Sequence, residues 1–391
     1  MNKKTARLYF IDAMRAWAIL MMLQGHFVDG LLDNAFRDNA DSTYSLWKYF
    51  RGMTAPVFFT VSGFIFTYLL IRVPEKGFDN PRVKKGIKRG LELLVIGYLL
   101  RMNFMGLVHG QIYDSFYLVD VLHCIGLSIL GIIAMYLLTH SKSKLLFPTL
   151  LLTVTMLLFL FEPQYQKWTY GLLPDAIANY FTKTNGSVFT IFPWFGYTTF
   201  GAFISVLFTR YKNFKHLYPT AITISAVLGL LLIFYSSDLF LEISRATGLQ
   251  MFADIYFNNY LFIRLGDVFI AFAVFMLVRR WLTNSTLLKI GQSTLSIYII
   301  HFIILYGSFT GLGLYQYFHH SLSPTVVITS ALVFMIVCSF TALVYEKHKA
   351  GIKASLAIGL KYLLVNGESF LKYLFGKARV LLIKLFGLVK N

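Results

Sequence analysis

The chain has 391 residues, 57% of them apolar and 14% charged, with a formal net charge of +18. Soluble domains carry roughly 25% charged residues, and 38 Phe with 24 Tyr exclude a disordered or low-complexity chain. The basic residues punctuate long apolar runs instead of crowding a hydrated face, which argues against nucleic acid and for a polytopic membrane protein.

Helical runs long enough to cross about 30 Å of hydrocarbon fall near 9–32, 54–72, 90–110, 116–139, 145–161, 188–209, 216–235, 259–281, 286–309 and 324–345. The expectation is therefore an all-α polytopic membrane protein of about ten transmembrane helices, in the cell membrane (the inner membrane of a bacterium). Lys3, Lys4 and Arg7 precede the first run as they would a signal peptide. Asp12 and Arg15 interrupt its apolar core, however, and no small-x-small cleavage site follows, so it reads as a retained helix. Cys124 and Cys338 both lie inside apolar runs, which leaves no disulfide framework and no CxxC metal site.

Orientation follows the Lys and Arg. With both termini cytoplasmic, 28 of the 36 basic residues lie inside and 12 of the 18 acidic ones outside. Residues 1–346 then form one membrane domain without an evident internal repeat. Residues 347–391 carry nine Lys/Arg among Leu, Phe, Tyr and Val. They read as a basic amphipathic segment on the inner leaflet, or as a plain positive tail.

Ionisable groups within spans cost several kcal/mol unless paired or wetted, so each is a functional candidate. In the first run, Arg15 and His26 are eleven residues apart. At about 100° per residue they lie about 20° from full register, with a rise of roughly 16 Å. One helix face thus links a cation near the inner side to a histidine toward the outer side. Asp12 is spaced to pair with Arg15, and Asp29 sits one turn beyond His26. Arg101, near the middle of the third run, needs a partner or water. Asp120 and His123 share a face at the outer end of the fourth, where the carboxylate would raise imidazole basicity and fix its tautomer. Arg264 and Asp267 read as a structural ion pair. His301, in Tyr298-Ile-Ile-His301 above Ser293, Thr294 and Ser296, is explained by a helix-packing hydrogen bond as well as by chemistry. His109 reads as solvated. The 72–89 loop holds seven basic residues. Topology accounts for most of them, and a phosphate clamp is the sharper reading. GxxxxGK[ST], GxGxxG, HExxH and GxSxG are all missing.

These residues carry a resemblance. Arg15-x10-His26, preceded by Ile11-Asp12, resembles the opening of the transmembrane acyltransferase superfamily, which includes the bacterial membrane acyltransferases of sugar O-acetylation. Thr54-Ala-Pro-Val-Phe-Phe-Thr-Val-Ser-Gly63 is similar to the second-helix signature. Gly291-Gln-Ser-Thr-Leu-Ser-Ile-Tyr-Ile-Ile-His301 is similar to the penultimate-helix motif. Ile191-Phe-Pro-Trp-Phe-Gly196 with Phe200-Gly201 resembles the heparan-α-glucosaminide N-acetyltransferase branch, which the chain resembles most.

The resemblance implies ten or eleven membrane helices and transfer of an acyl group, acetyl by preference, from cytoplasmic acetyl-CoA to a hydroxyl or amine across the membrane. It implies His26 as the catalytic histidine, Arg15 as the arginine of the same motif, and Lys88 and Arg89 as donor-binding cations. The Arg-x-x-Arg of the O-acyltransferase branch is replaced by Arg82-x-x-Lys85. The phosphates of the acyl-CoA would dock at the basic inner loop and at Arg101, and the pantetheine arm, roughly 15–20 Å long, would reach toward His26. His26 would act as general base or become acylated itself. Asp29 or Asp120 would orient the imidazole, with His123 beside Asp120. No metal is expected. The expected partners are acyl-CoA, a sugar or glycan acceptor and membrane lipids, and a homodimer is compatible with the superfamily. The acceptor stays open between a cell-surface glycan, a lipid-linked sugar and a free amino sugar. A proton-coupled transporter or flippase is the competing class. It predicts broken helices and inverted repeats, neither evident in the sequence.

Overall fold

The computed structural model describes residues 8–168 and 170–385. The Lys3, Lys4 and Arg7 flank and the last six residues, with Lys390, lie outside them. The chain divides into two compact units, one ending at Ser339 and the other beginning at Phe340.

Eleven principal helices carry the fold among the described residues: α1 Tyr9–Leu31, α2 Ser42–Ile71, α3 Pro81–Arg101, α4 Val121–Thr139, α5 Leu146–Leu160, α6 Ile191–Arg210, α7 Leu217–Thr247, α8 Tyr260–Leu277, α9 Ser285–Gln292, α10 Thr294–Tyr306 and α11 Pro324–Leu385. No β-strand is present among these residues, only an isolated bridge between Leu32 and Leu322. Helix starts follow their caps. The Asp41 carboxylate accepts from the Tyr44 amide at 2.7 Å and opens α2. Asn80 accepts from the Arg82 amide at 2.8 Å and opens α3, with Pro81 in the first turn. Asp120 and His123 form a reciprocal capping box on α4. Gly248 and Gly307, at φ +69° and +79°, close α7 and α10 in the left-handed region.

A helix stands at each of the ten expected span positions, with α9 and α10 together at the ninth. Six are long and apolar enough to cross a membrane: Ser42–Ile71, Asp114–Thr139, Ile191–Arg210, Leu217–Thr247, Tyr260–Leu277 and Pro324–Gly359. Ser285–Gln292 and Thr294–Thr310 pass that test only as a pair, bent by 72° at Ser293. The chain is thus a multi-pass membrane protein with six or seven such helices among its described residues. Helices α1 and α3 are too polar to qualify and α5 too short.

Several boundaries differ from the sequence reading. α2 begins at Ser42, twelve residues before the expected start, because its first turns are polar and leave no hydropathy signal. α3 begins at Pro81 for the same reason, so Arg82, Lys85, Lys88 and Arg89 belong to a helix and not to a loop. Arg101 is the last residue of α3 and not its midpoint.

α1 packs against α2, α8, α9 and α10 and is buried along most of its length. α2 and α6 meet at backbone contact: a Cβ on Gly201 would stand 1.8 Å from the Thr60 carbonyl oxygen, and one on Gly63 2.0 Å from that of Thr198. Helices without a hydrophobic drive between them gain from such close dispersion contact. By contrast α7 exposes Ile224, Val227, Leu231 and Phe234, a face suited to lipid chains. In the second unit the chain is helical through Leu385, with Lys349 paired to Glu346 at 3.0 Å.

Candidate active site on helix α1

The two ends of α1 carry two polar clusters. At the N-terminal end, the Arg15 guanidinium donates to the Thr294 hydroxyl at 3.1 Å and lies 4.0 Å from the Asp12 carboxylate. Gln292 donates to the other Asp12 oxygen at 3.5 Å. Thr294 opens α10 immediately after the bend at Ser293, so Arg15 reaches into the gap of a broken helix. Gly291 makes this approach feasible, because a Cβ there would stand 1.9 Å from the Asp12 carbonyl oxygen. Arg89 of α3 lies within electrostatic range of Arg15 and 3.8 Å from Glu92. Arg82, Lys85 and Arg89 fall within about 60° of one another around α3, and Lys85, Lys88 and Arg89 are exposed. These cations thus form a stripe on α3 leading toward Arg15.

About three turns along α1 stands His26, partly buried, its Nδ1 3.0 Å from the Tyr306 hydroxyl of α10. The His26 and His301 rings meet edge to face at 5.3 Å. His301 is fully buried, and its Nδ1 is 2.5 Å from the Tyr298 carbonyl oxygen. A carbonyl only accepts, so Nδ1 carries the proton and Nε2 the lone pair. That Nε2 is buried without a hydrogen-bond partner among the described residues.

The carboxylates lie around this centre without touching the imidazole of His26. Asp29 receives the Arg51 guanidinium at 2.6 Å, and Arg37 lies 3.8 Å from its other oxygen. Asp120 faces His123 Nδ1 at 3.0 Å and accepts from Arg101 at 3.3 Å and from the Leu122 amide at 3.0 Å. His123 is fully buried against Tyr98, at 4.4 Å between rings, and Tyr98 shares a 2.7 Å hydrogen bond with Tyr180. Asp29, Asp120 and Arg51 are within electrostatic range of His26. Arg101 therefore stands on the His26 side of the protein, away from the Arg15 cluster. Ser308 donates to the Leu100 carbonyl at 2.8 Å and ties this end of α3 to the segment after α10.

Of the sequence candidates, the fold brings Arg15 to Arg89 at one end of α1 and His26, Asp29, Asp120, His123 and Arg101 to the other. Sequence reasoning missed Tyr306, Thr294 as the partner of Arg15, and Arg51. Tyr306 ends the same apolar helix as His301, and Arg51 fell outside a span begun at residue 54. The Arg264–Asp267 pair has its expected structural form at 2.8 Å, with the Tyr49 hydroxyl donating to Asp267 at 2.5 Å.

The sequence model of the acyltransferase domain, acyltransferase family 3, matches residues 8–344. The chain belongs to this acyltransferase family. Both clusters of the acyltransferase lie inside the match, and the segment after residue 344 lies outside it. The match carries the superfamily as a whole and not its heparan-α-glucosaminide branch. Among curated proteins none matches the chain.

Proposed function

We propose that this membrane acyltransferase moves an acetyl group from cytoplasmic acetyl-CoA to a sugar hydroxyl or amine on the far side of the membrane. The observation that carries the reading is the single face of α1. It bears Arg15 at one end, beside a helix break and the cationic stripe of α3, and His26 at the other, in a cluster of titratable side chains. The rise of roughly 16 Å between them suits a pantetheine arm. The CoA phosphates would meet Arg82, Lys85, Lys88 and Arg89, since guanidinium and ammonium groups pair well with phosphate oxygens.

His26 acts there as general base or as acyl carrier, with Tyr306 holding the imidazole in place. Asp29 anchors Arg51, and Asp120 anchors His123 and Arg101, so both carboxylates act on His26 through the field they set up. The reading includes ten crossings with both termini cytoplasmic, the polar α1 being tolerated because other helices surround it. It also includes a basic tail lying on the inner leaflet. The family match supports acyl transfer in general; acetyl, CoA and the sugar acceptor follow from the resemblance to the wider superfamily.

The test incubates purified protein with radiolabelled acetyl-CoA and a panel of amino sugars and glycans. Acetyl transfer that disappears in a folded His26→Ala variant is the expected result. Transfer persisting in that variant refutes the catalytic assignment. The bend at Ser293 favours a second reading, because transporters place their sites at broken helices. Solute uptake into proteoliposomes without acetyl-CoA binding would establish it.

A further inference from the structure

Transfer through an acyl-enzyme needs both a side chain to carry the acyl group and a base for the incoming nucleophile, and α1 offers only His26 for the two tasks. His301 removes the conflict. Its Nδ1–H is committed to the Tyr298 carbonyl at 2.5 Å, which fixes the tautomer and leaves the Nε2 lone pair as the free end of the ring. That nitrogen is fully buried and unpartnered among the described residues, beside a histidine whose ring is 5.3 Å away. A buried acceptor without a donor is costly unless something visits it. A helix-packing role uses Nδ1 alone and leaves Nε2 idle; His123 Nε2 is buried and unpartnered too, but it is the His301 ring that meets His26 edge to face. The charged and titratable groups around the pair are Tyr298 and Tyr306 of α10, Asp29 of α1, Arg51 of α2, Arg101 of α3 and Asp120 at the start of α4. Asp29 and Asp120 are engaged by arginines, which leaves His301 Nε2 as the buried lone pair next to His26.

We propose that His301 is the base that takes the proton of the acceptor while His26 carries the acyl group. This rests on the acyl-transfer reading above. In the first step, His26 Nε2 attacks the thioester carbon and the C–S bond breaks. CoA leaves as thiolate, while Nδ1–H of His26 stays donated to the Tyr306 oxygen. In the second step, the acceptor oxygen or nitrogen attacks the acetyl carbon and its proton passes to His301 Nε2. The bond from the acetyl carbon to His26 breaks, and His26 returns as neutral imidazole. His301 then releases its proton to water, so one proton and one thiolate leave for each acetyl transferred.

Asparagine and glutamine separate the two nitrogens of His301. His301→Asn keeps a donor where Nδ1 stands and removes the base; His301→Gln places an amide near Nε2 and loses the tie to Tyr298. The first step is read as exchange of radiolabelled CoA into acetyl-CoA without acceptor. The second is read as transfer to glucosamine and to water, the acceptor every acyl-enzyme meets. His301→Asn should keep exchange within about threefold while transfer falls by about 100-fold or more, the scale of a lost general base. Acetylated protein should accumulate after rapid quench, and His301→Gln should lose transfer likewise. Transfer within about threefold of wild type in His301→Asn overturns the role of His301. So does an equal loss of exchange and transfer in that variant. No exchange in a wild-type enzyme that still transfers overturns the carrier step. Those failures leave the acyltransferase reading intact, whereas a wild-type enzyme that transfers no acetyl group to any acceptor or to water removes that reading itself.

Discussion

Replacing Gly291 by alanine probes the joint between α1 and the broken helix. A Cβ at this position would stand 1.9 Å from the Asp12 carbonyl oxygen, 2.9 Å from its carbon and 3.2 Å from the Ala16 nitrogen. All three are backbone atoms, so no side-chain rotation relieves the contact. Restoring a tolerable approach moves α9 away from α1 by about 1 Å, an overpacking strain of roughly 1–3 kcal/mol. The Arg15–Thr294 hydrogen bond of 3.1 Å would then open to about 4 Å and cease to be one. A hydrogen bond to a charged group contributes roughly 1.5–3 kcal/mol, so apparent acetyl-CoA affinity should fall by about 10–150-fold. Steady-state kinetics over an acetyl-CoA series, with thermal unfolding in the same detergent, reads both effects. Gly351→Ala, which meets nothing within 4 Å, is the control. A Gly291→Ala enzyme with KM within twofold of wild type and an unchanged melting temperature refutes the link between this joint and the donor site.

Tyr306→Phe should lower kcat by about 5–10-fold with little change in the acetyl-CoA KM, as expected for loss of about 1 kcal/mol of support to His26; a change confined to KM would contradict it. Asp120→Asn strands the Arg101 guanidinium, which is mostly buried, and should destabilise the fold by about 3–5 kcal/mol, read as loss of monodisperse protein on heating. Gly63→Ala would press a Cβ to 2.0 Å from the Thr198 carbonyl oxygen and should lower the melting temperature more than Gly351→Ala does; equal effects would refute the close α2–α6 approach. Outside the spans, hydrogen bonds from Lys167 and Gln250 hold the Asp254 carboxyl below its ordinary range. A depressed carboxyl stabilises the fold above its unfolded value, and that contribution fades as pH falls through the folded value. The melting-temperature gap between wild type and Lys167→Met should therefore shrink below about pH 4.

Features set by short spacing were readable in the chain. Asp12–Arg15, Asp120–His123 and Arg264–Asp267 are each three residues apart, and helix geometry alone brings such pairs together. The shared face of Arg15 and His26 is readable for the same reason. Contacts to Tyr306, Thr294 and Arg51 depend on how distant helices dock, which no periodicity in α1 encodes. Hydropathy also reports apolarity and not helicity, so the polar first turns of α2 and α3 looked like loops. The bend at Ser293 stayed hidden because Gly291-Gln-Ser-Thr294 joins two apolar runs without a proline.

The placement of α1 bears on how the protein is made. Its arginine partner Thr294 lies 279 residues downstream, so α1 emerges from the ribosome long before the helices that later surround it. During that interval the ion pair with Asp12 lies within its own sequence. This polar helix thus brings its counter-charge along and can wait in or beside the bilayer until α9 and α10 arrive. Separating that pair should therefore lower the yield of inserted protein before it alters any property of the finished enzyme.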